Sequence, residues 1–214
     1  MKRLVITTVA IGVAVIAAFF FLMPEEEKQV IDEIDRSDQP YLGDEEAPVS
    51  IIEFGDYKCP ACKVWDETVF QQLKGDYIEG GLANLTFINT PFHGAESILA
   101  SYASESVWDN HPEAFWEFHE ALYHAQPEAA HHDEEWVTIE ELLRIASEDV
   151  EQTIDVEQLE VDIREGNYED EVNHDINLVN EHDVQLTPTI VINGVMIEDP
   201  FDYDRIVEEI EKHL

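Results

Sequence analysis

The only two cysteines of the 214-residue chain, Cys59 and Cys62, lie between an apolar segment and an amphipathic one. Residues 49–54 form a near-continuous apolar run, typical of a buried strand. A helix is predicted directly afterwards, because Pro60 suits a first helical position. Its apolar residues share one face: Val64, Trp65, Val69 and Leu73. A strand that leads through Cys59-Pro60-Ala61-Cys62 into a helix indicates an α/β fold.

This placement of Cys59 and Cys62 is what thiol redox chemistry requires. The thiolate is the nucleophile, and the free N–H groups at a helix start stabilise its negative charge. The spacing brings the second sulfur within bonding distance after one turn, so we expect Cys59 to attack and Cys62 to resolve the mixed disulfide. Lys58 and Lys63 flank the motif, and they are expected to lower the pKa of Cys59 and make the disulfide a stronger oxidant.

Other uses of the two cysteines are less favoured. Half of a zinc knuckle is one, since the chain has nine histidines, but no second CxxC completes it. An inert structural disulfide is another, but it would close too small a loop to stabilise much. With two cysteines the chain cannot be a disulfide-stapled scaffold, and we predict no metal and no cofactor.

The rest of the chain divides at residues 94 and 181. A second strand is predicted at 84–89, helical periodicity runs from 94 to 181, and Asn193-Gly194 indicates a hairpin before a last amphipathic helix. We therefore predict a small α/β unit, residues 48–93 and 182–214, interrupted by a helical domain, residues 94–181.

The N-terminus has the pattern of a membrane segment. Lys2 and Arg3 precede twenty residues without charge, Leu4 to Met23, enough for a helix to cross the roughly 30 Å hydrocarbon core. No good small-x-small cleavage site follows, which favours an uncleaved signal-anchor at 1–23 over a cleaved signal peptide. The positive residues predict an extracytoplasmic domain, joined through an acidic linker at 24–47.

Acidic residues dominate the charge, with 49 Asp and Glu against 11 Lys and Arg, a net charge of −38. Such a polyanion repels nucleic acid backbones, so we do not expect nucleic-acid binding. Solubility is one reading of this imbalance. Its size favours an extracytoplasmic protein of a salt-loving or alkaliphilic bacterium.

Three stretches of residues carry a family resemblance: 47–62, 115–119 and 186–194. They resemble the DsbA-like branch of the thioredoxin superfamily, most of all the membrane-anchored BdbD-type proteins of Gram-positive bacteria. The resemblance covers roughly residues 40 to 214, and it implies a thioredoxin-like fold with an inserted helical domain.

The resemblance also implies roles for single residues. Pro188 would be a cis-proline facing the cysteines, and Thr187 before it would contact the sulfurs and the substrate backbone. Glu53 matches a buried acid whose pKa is raised and which accepts the proton of Cys62. Two departures stand out: Pro60-Ala61 lacks the histidine of the most oxidising members, and Leu186 replaces a common glycine in the groove wall.

The function implied is an extracytoplasmic thiol–disulfide oxidoreductase that passes its disulfide to newly exported proteins. By resemblance, a quinone-linked, DsbB-like membrane protein would reoxidise it. A reductase or isomerase, for example in cytochrome maturation, is the nearest alternative, and a redox-inert peptide-binding module is another. His93, His119 and His124 could line the groove, but ordinary surface or core positions are favoured for them.

Overall fold

The structure is a computed structural model that describes residues 30–31, 34–128 and 134–214. Within these residues, no helix combines the length and the apolar character needed to cross a bilayer. The predicted anchor, residues 1–23, lies outside the described residues, as does the beginning of the predicted linker.

A five-stranded sheet forms the centre of the α/β fold, in the order β1-β3-β2-β4-β5. Strands β2 and β3 are parallel, and the other neighbouring pairs are antiparallel. The predicted strands and the hairpin at Asn193-Gly194 are confirmed. The strands are β1 Tyr41–Gly43, β2 Val49–Gly55, β3 Ala83–Asn89, β4 Thr189–Ile192 and β5 Val195–Met196.

Strand β1 comes from the segment expected to be a linker. Tyr41 pairs with Thr86 of β3, and Ile34 nearby is buried against the sheet. The indole of Trp116 donates to the carbonyl oxygen of Tyr41 at 2.9 Å. This edge strand is held mainly by backbone pairing and a few contacts. Because it needs few apolar side chains, the composition of the segment did not predict a strand.

Helix α1 begins directly after Cys59 and contains Cys62. It has four consecutive segments: α-helical Pro60–Trp65, π-helical Asp66–Phe70, α-helical Gln71–Leu73 and π-helical Lys74–Ile78. The helices after it are α2 Ala95–Asn110, α3 Phe115–Ala125, α4 Ile139–Glu148, α5 Val156–Glu165, α6 Glu169–Glu181 and α7 Tyr203–Ile210. Thr138 caps the start of α4, where its hydroxyl accepts from the backbone N–H of Glu141 at 3.2 Å.

Different helices pack on the two faces of the sheet. Ile51 of β2 packs with residues of α1 and α7, whereas Ile52 and Phe54 pack with residues of α6. Side chains alternate along a strand, so Glu53 lies on the α1 side with Ile51. A separate core formed largely by α2 to α5 reaches Cys62. The cysteines thus lie where the sheet meets the inserted helices.

Candidate active site

Cys59 lies at the start of α1, after the short turn that follows β2. Its backbone N–H donates to the carbonyl oxygen of Asp56 at 3.0 Å, and Pro60 occupies the first helical position. Both cysteines are free thiols, with Cys59 6% exposed and Cys62 fully buried. An incoming sulfur can therefore reach Cys59 but not Cys62.

The pKa of Cys59 is lowered to about 6. A hydrogen bond from the Cys62 thiol is the main cause, and the Thr187 side chain and the backbone N–H groups of Cys62 and Ala61 add to it against the opposing effect of burial. The predicted stabilisation by the start of a helix is present in these two N–H groups. Cys59 is therefore largely a thiolate at neutral pH.

Cys62 has the opposite behaviour. Burial raises its pKa well above the ordinary range of a thiol, and its hydrogen bond to Cys59 and the charges of Cys59 and Glu53 raise it further. The backbone N–H of Asp56 lies 3.5 Å from its sulfur. Cys62 therefore holds its proton until a base removes it.

The lysines beside the motif are engaged elsewhere. The ammonium of Lys58 pairs with Glu96 and donates to the carbonyl oxygen of Glu134, and that of Lys63 donates to the carbonyl oxygens of His124 and Gln126. The largest influence on the Cys59 pKa is the hydrogen bond from Cys62. Lys58 and Lys63 tie the turn to the helical domain, and their expected effect on the thiolate stays a prediction.

Gln126, at the end of α3, was not expected at the site. Its side-chain amide donates to the carbonyl oxygens of Tyr57 at 2.7 Å and of Cys59 at 3.3 Å. These bonds fix the backbone that carries the reactive sulfur. A single glutamine after a helix forms no motif, so nothing in the sequence pattern distinguished it.

The peptide bond between Thr187 and Pro188 is cis, as the resemblance implies. The carbonyl oxygen of Thr187 lies 3.4 Å from the Cys59 sulfur, which places this loop directly beside the reactive sulfur. Leu186, where glycine was expected, is 60% exposed. It adds an apolar side chain to the surface next to Cys59.

Glu53 is buried on the α1 side of the sheet, and its Oε1 atom has no hydrogen-bond partner among the described residues. Burial raises its pKa well above the usual carboxyl range, and the charges of Asp66 and Cys59 raise it further. This environment agrees with the expectation of a buried carboxyl with a raised pKa.

Asp56 organises the turn before Cys59, and the sequence did not indicate it. One of its oxygens accepts from the backbone of Lys58 at 2.9 Å. The other accepts from the backbone N–H groups of Phe92 and His93 and contacts the His93 ring at 2.7 Å. This contact raises the pKa of His93. Of the other histidines considered, His119 is buried in the core.

Across residues 30–31, 34–128 and 134–214, no three His, Cys, Asp or Glu side chains are grouped as metal ligands. The groups that the site brings together are one accessible thiolate, one buried thiol and a buried carboxyl on the same side of the sheet.

Known proteins share this arrangement of sequence and fold. A family profile described as Thioredoxin matches residues 35–212. Disulfide bond formation protein D of Bacillus subtilis is 41% identical over 176 residues, which are 82% of this chain and 77% of that protein. The probable disulfide bond formation protein D of Bacillus anthracis is 38% identical over 178 residues, 83% of this chain and 79% of that protein.

A solved structure agrees with these relatives. The crystal structure of oxidised BdbD from Bacillus subtilis has a TM-score of 0.81 and 38% sequence identity, and the match covers 87% of this chain and 98% of that one. The predicted thioredoxin-like fold with inserted helices is confirmed.

Proposed function

The chain belongs to the thioredoxin family, among its disulfide bond formation proteins, and from this premise we propose that it oxidises protein thiols. It is a thiol–disulfide oxidoreductase. The single observation that supports the oxidising direction is the lowered pKa of Cys59, about 6, beside the raised pKa of Cys62. A stabilised thiolate favours the reduced protein, so the disulfide is a strong electron acceptor.

The reaction begins when a substrate thiolate attacks the Cys59 sulfur of the oxidised protein. A bond forms between these two sulfurs, the Cys59–Cys62 bond breaks, and Cys62 leaves with the electron pair and takes a proton from Glu53. A second substrate thiolate then attacks the substrate sulfur of the mixed disulfide, and Cys59 leaves as a thiolate. Two electrons have passed from the substrate to the protein.

Substrate binding is assigned to the surface beside Cys59. An extended peptide segment would lie along Thr187 and Pro188, with the Thr187 main chain as its hydrogen-bond partner. Exposed Leu186, next to Thr187, supplies an apolar contact suited to an unfolded chain. Pro60 and Ala61 set the start of α1 against which the substrate sulfur approaches.

The proposed place of action is outside the cytoplasm, where disulfides persist, with residues 1–23 as the membrane anchor. Lys2, Arg3 and the uncharged run after them support this orientation. A quinone-linked, DsbB-like membrane protein is the proposed reoxidant. In untreated cells the protein should be found in the membrane fraction, and protease added to intact cells should degrade its domain. Removal of residues 1–23 should release the domain from the membrane.

The direction is tested by equilibrating the protein with reduced and oxidised glutathione and by refolding reduced ribonuclease. We expect an oxidising potential, no refolding activity in Cys59→Ser, and an accumulated mixed disulfide in the matched variant Cys62→Ser. A potential near the roughly −270 mV of thioredoxin would assign a reductase instead. Unchanged activity in Cys59→Ser would exclude the site altogether.

A further inference from the structure

The main chain of Asp56 contacts both cysteines. Its carbonyl oxygen accepts from the backbone N–H of Cys59 at 3.0 Å, and its own N–H donates to the Cys62 sulfur at 3.5 Å. Strand β2 ends one residue earlier, at Gly55, so this N–H lies beyond the pairing of the sheet. Its acceptor is therefore the buried sulfur of Cys62 rather than a neighbouring strand.

The side chain of Asp56 is buried, and its carboxylate is held from two sides. One oxygen accepts from the backbone N–H of Lys58 at 2.9 Å. The other accepts from the backbone N–H groups of Phe92 at 2.9 Å and His93 at 3.1 Å, and it contacts the His93 ring at 2.7 Å. A buried carboxylate keeps its charge only with such partners, so Asp56 cannot rotate without losing several hydrogen bonds.

The peptide group that contains the Asp56 N–H is also fixed at its other end. Its carbonyl oxygen, which belongs to Gly55, accepts from the backbone N–H of Thr90 at 2.8 Å. The C=O and N–H bonds of a trans peptide group lie in one plane and point in opposite directions. With the carbonyl directed at Thr90 and the Asp56 side chain anchored, the N–H is held in its direction toward Cys62.

Cys62 is the sulfur that requires such a donor. It is fully buried, and it must leave with an electron pair when a substrate thiolate attacks Cys59. Thiol–disulfide exchange is faster when the leaving thiol has a lower pKa. Burial raises the pKa of Cys62, whereas the backbone N–H of Asp56 lowers it. A hydrogen bond to an ionised acceptor is about twice as strong as a neutral one, so this donor acts most when charge develops on the sulfur.

We propose that Asp56 is a positioning residue whose anchored carboxylate holds its own main-chain N–H against the Cys62 sulfur, and that this N–H stabilises the Cys62 thiolate as it leaves. The inference rests on the proposed function and deepens it. As the bond between the substrate sulfur and Cys59 forms, the Cys59–Cys62 bond breaks and its electron pair goes to the Cys62 sulfur. The N–H of Asp56 donates a hydrogen bond to this sulfur and keeps its proton, and the proton that Cys62 takes comes afterwards from Glu53.

The test compares two reactions in which different sulfurs leave. Dithiothreitol opens the Cys59–Cys62 disulfide of the oxidised protein, and Cys62 is the leaving sulfur. In Cys62→Ser that carries a mixed disulfide between Cys59 and glutathione, the same reductant releases Cys59 instead. Rapid mixing followed by acid quenching measures both rates. A donor to Cys62 affects the first reaction alone, whereas a general defect of the turn slows both.

Asp56→Asn is expected to slow the opening of the Cys59–Cys62 disulfide about 10-fold, because its amide places a donor against N–H groups that now bond to a carboxylate oxygen. In the Cys62→Ser background the same change should leave the release of Cys59 within about twofold of its rate without it. The matched control is Glu96→Gln. This acid anchors the same turn through the side chain of Lys58, and its replacement should leave both rates within about twofold.

A second variant removes the N–H alone. It is a full chain joined at Cys59 in which an ester replaces the peptide bond between Gly55 and Asp56, so every side chain is kept. Its disulfide should also open about 10-fold more slowly, with the release of Cys59 unchanged in the Cys62→Ser background. This form decides the question if Asp56→Asn folds poorly.

An unchanged opening rate in the ester form would overturn the proposal, as would an equal slowing of both reactions. Equal slowing of the opening in Glu96→Gln would assign the effect to the stability of the turn and overturn it too. Failure of the native protein to refold reduced ribonuclease would refute the proposed function instead. The two failures are distinguishable, because dithiothreitol opens the disulfide whether or not the protein oxidises substrates.

Discussion

Two pairs of buried carboxyl groups lie beside the sheet, and they differ in their hydrogen bonds. Glu53 and Asp66, behind the cysteines, each have an oxygen without a partner among the described residues. Glu105 of α2 and Asp175 of α6 lie at the end of β3, and both accept hydrogen bonds from protein groups there. The Asn89 amide donates to Glu105 at 2.6 Å, and its backbone N–H donates to Asp175 at 3.1 Å.

The difference separates two uses of a buried acid. Burial raises the pKa of all four groups, to about 6 for Asp175 and about 8 for Asp66. Donors around the second pair hold β3, α2 and α6 together. The first pair lacks such donors among the described residues, which costs stability, and Glu53 of this pair is the acid proposed to protonate Cys62. Each of the following experiments can break this contrast.

The largest effect is expected on stability in Asp175→Ala. The change leaves the buried Gln39 amide and the Asn89 backbone N–H without their acceptor, at 2.6 Å and 3.1 Å respectively. We expect the free energy of unfolding in urea to fall by about 3 kcal/mol. Asp170→Ala, at an exposed position of the same helix, should change it by less than about 0.5 kcal/mol. Equal losses in both would remove the structural role.

Glu53→Gln tests the other pair. Without a carboxyl to take the Cys62 proton, the closing step should slow about 100-fold, which corresponds to about 2.7 kcal/mol in activation free energy. In this step Cys62 attacks the mixed disulfide that oxidised glutathione forms with Cys59, the Cys59–Cys62 bond closes and glutathione thiolate leaves, and a stopped-flow assay measures its rate. The matched variant Glu105→Gln also replaces a buried acid with an amide, and its closing rate should remain within about threefold. The contrast fails if Glu105→Gln is slowed as much in the same stopped-flow assay.

Gly55→Ala fills the space beside the first pair. Its Cβ would lie 2.4 Å from Cε2 of Phe87 and 2.9 Å from both Glu53 and Tyr123. Overpacking should lower the free energy of unfolding by about 2 kcal/mol. Gly75→Ala, with no atom within 4 Å of its new Cβ, should be neutral or slightly stabilising. Urea unfolding of both variants measures the difference, and equal values would show that the space is not filled as described.

The smallest effect is a difference in pH dependence. A carboxyl with a raised pKa binds more protons in the folded state, so its contribution to stability is lost as pH rises through that pKa. For Asp66, with a pKa near 8, part of this loss falls between pH 7 and 8, whereas Asp175 titrates near 6. Asp66→Asn should therefore lose about 1 kcal/mol less than the native protein over this interval. Parallel curves would show that the Asp66 carboxyl has no raised pKa.

Much of the fold could be predicted from periodicity and turn signals. The run 49–54, the start of α1 at Pro60 and the Asn193-Gly194 turn are local features, and the structure contains them. Strand β1 was missed because three residues at a sheet edge depend on pairing with distant Thr86 rather than on their own pattern.

Spacing indicated Cys59 and Cys62, whereas Glu53 was implied only by the family resemblance. Gln126 was not indicated, since it reaches the site only when α3 packs against the reactive turn. Asp66 lies four residues after Cys62 on the same helical face, and it is buried there. The lysines were visible in the sequence, but the acidic partner of Lys58, Glu96, is far away in the chain.

The bonds from Gln126 to the carbonyl oxygens of Tyr57 and Cys59 have a consequence for engineering. The inserted helices supply part of the reactive turn, so a miniature enzyme made by excising them would lose the donors that shape its nucleophile. Transplanting the four-residue motif into another scaffold would carry the sulfurs but not this support. The helical insertion and the motif therefore depend on each other in structure, and a change to either is expected to require adjustment of the other.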